Sequence, residues 1–209
     1  MWTDGLLLTS LEILARAPLV GQVKTRLIPA LGPRGAAQAH EQLLSHVLTI
    51  ALSWQGVKVD RGLHLWCTPD SNHPYFDTLL PLSHRRCQPS GDLGQRMATI
   101  VDESLKRSRQ VILLGGDAAS ISTRLLDQVE AALQEVPVVM APAEDGGYIL
   151  LGLTRSAPTL FSSMPWGTEH VAEQTRSRLR DLGWPWREFP GQWDVDRGED
   201  WDRFRRQFL

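Results

Sequence analysis

Four groups of residues in this sequence combine acids, cations and glycines at spacings that suit phosphate and metal chemistry. Asp194-Val195-Asp196 sets two carboxylates two residues apart, so on extended backbone they point the same way. Hard carboxylate oxygens facing one site favour Mg2+ or Mn2+, which keep room for phosphate ligands. Asp117 closes the apolar stretch VILLGGD, behind Gly115 and Gly116, which let the backbone approach a ligand closely. Glu144-Asp145-Gly146-Gly147 interrupts the apolar run VVMAPAEDGGYILLGL with two acids and a turn. Its glycines allow the chain to pass beneath a substrate and re-enter a sheet. ARAPLVGQVKTRL arranges Arg16, Lys24 and Arg26 around Gly21. One glycine among three cations suits a phosphate group, through backbone N–H groups and charge-assisted hydrogen bonds.

Each group also has a plainer reading. The basic loop can be solvated surface, Asp117 can cap a helix, and Asp194 and Asp196 can open one before Glu199 and Asp200. No GxxxxGK[ST] loop and no GxGxxG fingerprint occurs, so a P-loop and a dinucleotide fold are both disfavoured. Together, the four groups describe a site for metal-bound nucleotide phosphates. Asp117, Asp194 and Asp196 are the candidate metal ligands, and Asp117 and Asp145 the candidate catalytic acids. Asp145 is the candidate general base or acceptor contact, with Glu144, Gly146 and Gly147 beside the substrate.

Such a site needs elements that bring distant loops together. Apolar runs at Leu6 to Leu14, Gly62 to Cys67, Val111 to Gly115, Val136 to Ala141 and Tyr148 to Leu153 read as strands. Between them lie helical patterns. Gly32-Pro33 opens one carrying Leu43, Val47 and Ile50, and Asp92 to Arg107 carries Met97, Val101 and Leu105. Ser122 caps a third with Leu125, Val129 and Leu133, Thr168 to Leu182 forms a fourth, and a closing helix starts at Glu199. Strands alternating with helices predict a three-layer α/β/α fold with a mostly parallel sheet. Only a short turn joins Val136–Ala141 to Tyr148–Leu153, too short for a helical crossover, so that pair is expected to break the parallel pattern. In such sheets ligands sit outside the carboxyl ends of the strands, where all four polar groups fall. Lys24, Asp117, Asp145 and Asp196 are therefore expected to meet in one cleft.

Composition sets the outer bounds. The 209 residues are 42% hydrophobic, enough for the core of a single domain spanning residues 1–209. A net charge of −2 gives no global field for nucleic acid. No stretch approaches the roughly 20 apolar residues of a membrane span. GLLLTSLEIL carries Glu12 and has no basic region before it, so it does not read as a signal peptide, and the chain reads as cytoplasmic. Cys67 and Cys87 make no disulfide framework, and the six histidines are scattered. Of the eight tryptophans, Trp184, Trp186, Trp193 and Trp201 crowd the end of the chain, as packing aromatics or as a stacking platform for a base.

ARAPLVGQVKTRL, GDLGQRM, VVMAPAEDGGYILLGL, LFSSMPWGTEHV and DVDRGED, in this order, resemble a family of bacterial nucleotide-diphospho-sugar transferases. These are glycosyltransferase-A-like proteins associated with radical-SAM genes, distantly similar to molybdenum-cofactor and 2-phospho-lactate guanylyltransferases. The resemblance spans about Leu6 to Phe204. It implies a Rossmann-like glycosyltransferase-A sheet, a nucleotide held by the first loop, and a divalent ion. By position, it implies that Lys24 and Arg26 hold phosphates, that Asp92 to Arg96 lie near the nucleotide, and that Asp117 binds the metal. Where the family reads G-T-D-C-P, this chain has Gly115-Gly116-Asp117-Ala118-Ala119. The acid is kept, and loss of the proline is expected to loosen the loop after the strand. The implied activity is transfer from a nucleotide sugar to a small-molecule acceptor. The alternatives are nucleotidyl transfer from a nucleoside triphosphate with release of pyrophosphate, and nucleotide binding without turnover.

Overall fold

Seven strands share one sheet: β1 (Leu7–Arg16), β2 (Arg61–Thr68), β3 (Arg85–Cys87), β4 (Ser108–Gly115), β5 (Val138–Pro142), β6 (Tyr148–Leu153) and β7 (Trp186–Glu188). The structure, a computed structural model, describes residues 6–209. The strand order is β3-β2-β1-β4-β6-β5-β7. β6 runs antiparallel to β4 and β5, and the other pairings are parallel. The expected break at the short turn is there. β6 returns from β5 and inserts between it and β4, so the sheet is mixed.

Among the described residues six helices accompany the strands: α1 (Ile28–Gln55), α2 (Pro74–Asp77), α3 (Leu93–Ser104), α4 (Thr123–Ala132), α5 (Val171–Asp181) and α6 (Gly198–Phe208). The period-2 alternation of the strands sends side chains to two cores. Leu11, Ile13, Ile112, Leu114 and Val139 pack with α1 and α4 on one face. Val111, Leu113, Val138 and Met140 pack with α3 and α5 on the other. These are the three layers expected. Trp193, Trp201 and Phe204 fill a third apolar cluster, where α6 lies on Ala36, Ala39 and Leu43 of α1. Among the C-terminal tryptophans, Trp193 and Trp201 are thus packing residues, and no base platform forms there.

Several boundaries move. β1 runs on to Arg16, and Asp92 is the cap of α3 rather than its first residue: its carboxylate accepts from the Gln95 amide in a reciprocal capping box. α1 is broken at Gly32 (φ +68°), and Pro33 opens the regular helix as the sequence suggests. β3, β7 and α2 were not anticipated. No helix of the described residues is long and apolar enough to cross a membrane.

Glu12 is the one charged residue buried on the α3 side of β1, at 0% exposure. Ser10 and Ser104 donate to it at 2.6 and 2.7 Å, Arg107 lies at 3.1 Å, and Trp66 donates its indole N–H. Burial raises its pKa, but the hydrogen bond and charge of His64, with Ser10 and Ser104, outweigh that and hold it down to about 2. A depressed carboxylate stabilises the fold above its unfolded pKa and loses that contribution as pH falls through the native value. Between about pH 4.5 and pH 2 the protein is expected to lose about 3 kcal/mol through this group. Glu12→Gln should lack that part of the acid loss. Parallel urea-stability curves for the two proteins across this range would refute the assignment.

Candidate active site

The chain leaves β1 for β2 on one side of the sheet and later crosses back to β4 on the other. The crevice between β1 and β4 is therefore the switch point at which open α/β sheets bind ligands. Leu14 stands opposite Gly115 there. Beyond these strand ends lie the basic loop, Asp117, the Glu144–Gly147 turn and the Asp194–Asp196 segment.

Lys24 sits at the junction. Its backbone is left-handed (φ 45°, ψ 45°), a costly conformation for a residue with a side chain. Its ammonium, 9% exposed, donates to Asp117 Oδ2 at 2.6 Å and to the Val195 carbonyl at 2.5 Å. Burial alone would lower the Lys24 pKa, but Asp117, with Asp194 and Asp196 further off, raises it, so the cation persists. Asp117 lies deep, yet 38% of its side chain opens to the cleft. Burial raises its pKa and the Lys24 charge and hydrogen bond more than offset that, so it stays ionised. Asp117 is not a cap. Ser122 caps α4 by accepting from the Leu125 amide.

Asp194 behaves differently. Burial first, then the charges of Asp117 and Asp145, push its pKa up to about 7 against the pull of Lys24. Acids crowded this way fit a divalent cation, which relieves the repulsion. Among the described residues no group of three or more acids, histidines or cysteines is placed to hold a metal unaided. Two carboxylates completed by substrate phosphates are the usual arrangement for magnesium. Asp117 shares the second cavity with Asp194 and the first with Asp196, which pairs with Arg26.

Two cavities meet at Gly115 and Asp117. The first, of about 610 Å3, is lined by Arg16, Lys24, Arg26 and Arg96, with Asp92 and Asp196 at its edge. The second, of about 340 Å3, holds Asp145, Gly147 and Asp194 among apolar walls. Lys24, Asp117 and Asp196 thus share one cleft, and Asp145 reaches Asp117 from the adjoining one. Gly21 (φ +78°) turns the basic loop. Asp145 accepts from the Gly147 amide at 2.8 Å, which fixes the turn. Gly146 (φ +87°) presses on Glu169, whose carbonyl would lie 2.2 Å from any Cβ placed there. Its role is close packing against the segment before α5. Glu144 faces elsewhere and pairs with Arg203 of α6 at 2.9 Å. Arg96 donates to Gly91 and Gln88, bracing the rim.

Three residues at these cavities went unassigned from sequence. His40 donates Nε2–H to the Arg16 carbonyl, and burial keeps it below its ordinary pKa. Gln88 ties the ends of β1 and β2 by donating to Ala15 and Trp66. Trp166 walls the second cavity. Only Trp166 lay in a conspicuous motif, LFSSMPWGTEHV. After Asp117, Ala118 and Ala119 are fully buried, and His46 holds the Ala119 carbonyl.

If the basic loop binds phosphate, Arg26→Ala should weaken nucleotide binding by about 1.5–3 kcal/mol, the range for hydrogen bonds to charged groups. Arg26 is 59% exposed, so stability should change little. Calorimetric titration giving unchanged affinity would return this loop to solvated surface.

Fold and site together define an α/β protein of the nucleotide-diphospho-sugar transferase fold, with a cleft of about 610 Å3 lined by four cations and three carboxylates at the sheet's switch point. Residues 55–168 match the family described as "uncharacterized protein conserved in bacteria (DUF2064)", and the chain belongs to that family. A candidate nucleotide-diphospho-sugar transferase from Desulfovibrio desulfuricans G20 is 27% identical, with a TM-score of 0.78 over 90% of this chain and 82% of that one. CMP:2-keto-3-deoxy-manno-octonic acid synthetase, solved with CTP, is 13% identical (TM-score 0.57, covering 95% and 97%). Rv0371c of Mycobacterium tuberculosis H37Rv, solved with manganese, is 15% identical (TM-score 0.57, covering 96% and 99%). The last two are likenesses of fold. No curated protein matches the chain.

Proposed function

We propose that this protein is a metal-dependent transferase that takes a nucleotide sugar in the first cleft and passes the sugar to a small-molecule acceptor in the second. The observation that carries this reading is the placement of Asp117 at the boundary of the two cavities, held by Lys24 from the first. A donor's diphosphate in the cationic cleft would present its sugar toward Asp145. The acceptor oxygen forms the new bond to the anomeric carbon, and its proton passes to a carboxylate, for which Asp145 is placed. The bond from that carbon to the diphosphate breaks, and its electron pair leaves on the nucleoside diphosphate. Lys24 and Arg26 offset the charge that builds there. A bound divalent ion supplies further Lewis-acid stabilisation of the leaving diphosphate; Asp117 and Asp194 would hold it. The manganese complex of the mycobacterial neighbour supports testing that metal first.

Nucleotidyl transfer is the second reading. It is favoured by the number of cations on the first cleft, Arg16, Lys24, Arg26 and Arg96, which is enough for a triphosphate. The CTP complex of the synthetase neighbour points the same way. Incubation with manganese, nucleotide sugars and nucleoside triphosphates separates the two. Release of nucleoside diphosphate supports sugar transfer, and release of pyrophosphate supports nucleotidyl transfer. Tight nucleotide binding with neither product would leave a binding protein without turnover.

A further inference from the structure

The two cavities differ sharply in charge. Arg16, Lys24, Arg26 and Arg96 line the first beside three carboxylates, whereas among the described residues no lysine, arginine or histidine lines the second. Its charged side chains are Asp117, Asp145 and Asp194. Apart from Thr168 at the rim, the rest of its wall is mostly apolar or aromatic: Met97, Leu113, Ile149 and Val171, with Tyr148 and Trp166 set edge to face at 6.4 Å. We infer that the second cavity selects an uncharged alcohol with a flat apolar body, and rejects acceptors that carry phosphate or carboxylate.

The argument is one of charge and surface. An anionic acceptor would lose its hydration in a cavity whose own side chains offer no cation to replace the lost water. Lys24 faces Asp117 from the other cleft, and with one divalent ion it balances the three carboxylates. An alcohol therefore meets a floor without net charge and gains nothing from a charge of its own. The aromatic pair and the aliphatic wall supply the apolar contact that small-ligand pockets use for affinity, while Asp145 and Thr168 can pair with a hydroxyl. The Gly146 carbonyl accepts from the Ala172 amide at 2.9 Å and Gly146 packs on Glu169, so the turn carrying Asp145 is fixed against the start of α5.

This inference rests on the first cleft being the nucleotide site, and the test keeps the two apart. Benzyl alcohol, benzyl phosphate and benzylamine serve as matched probes, followed by ligand-observed NMR with protein, manganese and nucleoside diphosphates of each base. Nucleotide binding is read in the same samples. The alcohol is expected to bind at least about tenfold more tightly than the phosphate or the amine. Trp166→Ala should weaken it about tenfold while nucleotide affinity holds. Thr168 is an exposed residue of the cavity rim, so Thr168→Arg should fold normally and shift preference toward the phosphate. Benzyl phosphate or benzylamine binding as well as the alcohol overturns the inference, as does an alcohol affinity that neither variant changes. Failure of every nucleotide to bind would instead overturn the reading of the first cleft.

Discussion

Lys24→Met is expected to lower turnover at saturating substrate by at least about 100-fold, the scale on which a preorganised charge at a reacting phosphate contributes. Methionine keeps the length and apolar stem of lysine and deletes only the ammonium. The deletion has two consequences that the geometry separates. Asp117 and Val195 lose the donor that joins β4's end to the segment before α6. The remaining acids then repel one another, at a stability cost of about 2–3 kcal/mol, below the usual figure for breaking a buried pair because Asp117 opens to the cleft. Manganese should recover much of that stability, since a divalent ion can take over the neutralising role, but it should not restore turnover. Thermal melting with and without manganese, beside a product assay, checks both statements. A variant that melts and turns over like the wild type would remove Lys24 from both roles.

How much of this was visible before the fold was known follows from what local sequence encodes. β6 is bounded as expected, Tyr148 to Leu153, because an unbroken apolar run after two glycines allows little else. β3 and β7, RRC and WRE, are three-residue edge strands without alternation, and only their neighbours make them strands. The site divides the same way. Acids after apolar strands marked where chemistry could sit, since residues at strand ends converge in any sheet of this kind. Which acids act together is a property of the folded state. Lys24 and Asp117 are 93 residues apart, and nothing in the spacing pairs them. Glu144 and Asp145 are neighbours in one turn, yet one turns out to Arg203 and the other in to the cavity. Asp194 and Asp196 were expected to act as a pair. In the fold Asp196 pairs with Arg26, while Asp194 lies in the second cavity with Asp117 and Asp145.

Asp194→Asn is expected to make the metal-free protein more stable at pH 8 while removing most of its response to manganese. The sign follows from where the proton sits. In the unfolded chain the carboxyl ionises near its ordinary value, whereas in the folded protein burial and the charges of Asp117 and Asp145 hold its pKa up at about 7. The native state therefore keeps a proton that the unfolded state has lost. Stability falls as pH rises from about 4 to about 7 and then levels off. Asparagine has no charged form and escapes this loss, which is worth about 2–4 kcal/mol at pH 8. At pH 4 the two proteins should be nearly equal. If Asp117 and Asp194 hold manganese, adding it should reverse the ranking, stabilising the wild type by mass action while the variant keeps one of the two ligands. Nucleotide affinity should follow, rising with manganese in the wild type and far less in the variant, since metal and phosphate bind as one unit. Urea unfolding at pH 4 and pH 8, with and without manganese, measures all four states. A stability gap that does not widen between the two pH values would make Asp194 an ordinary carboxylate. A manganese response unchanged by the substitution would place the metal elsewhere.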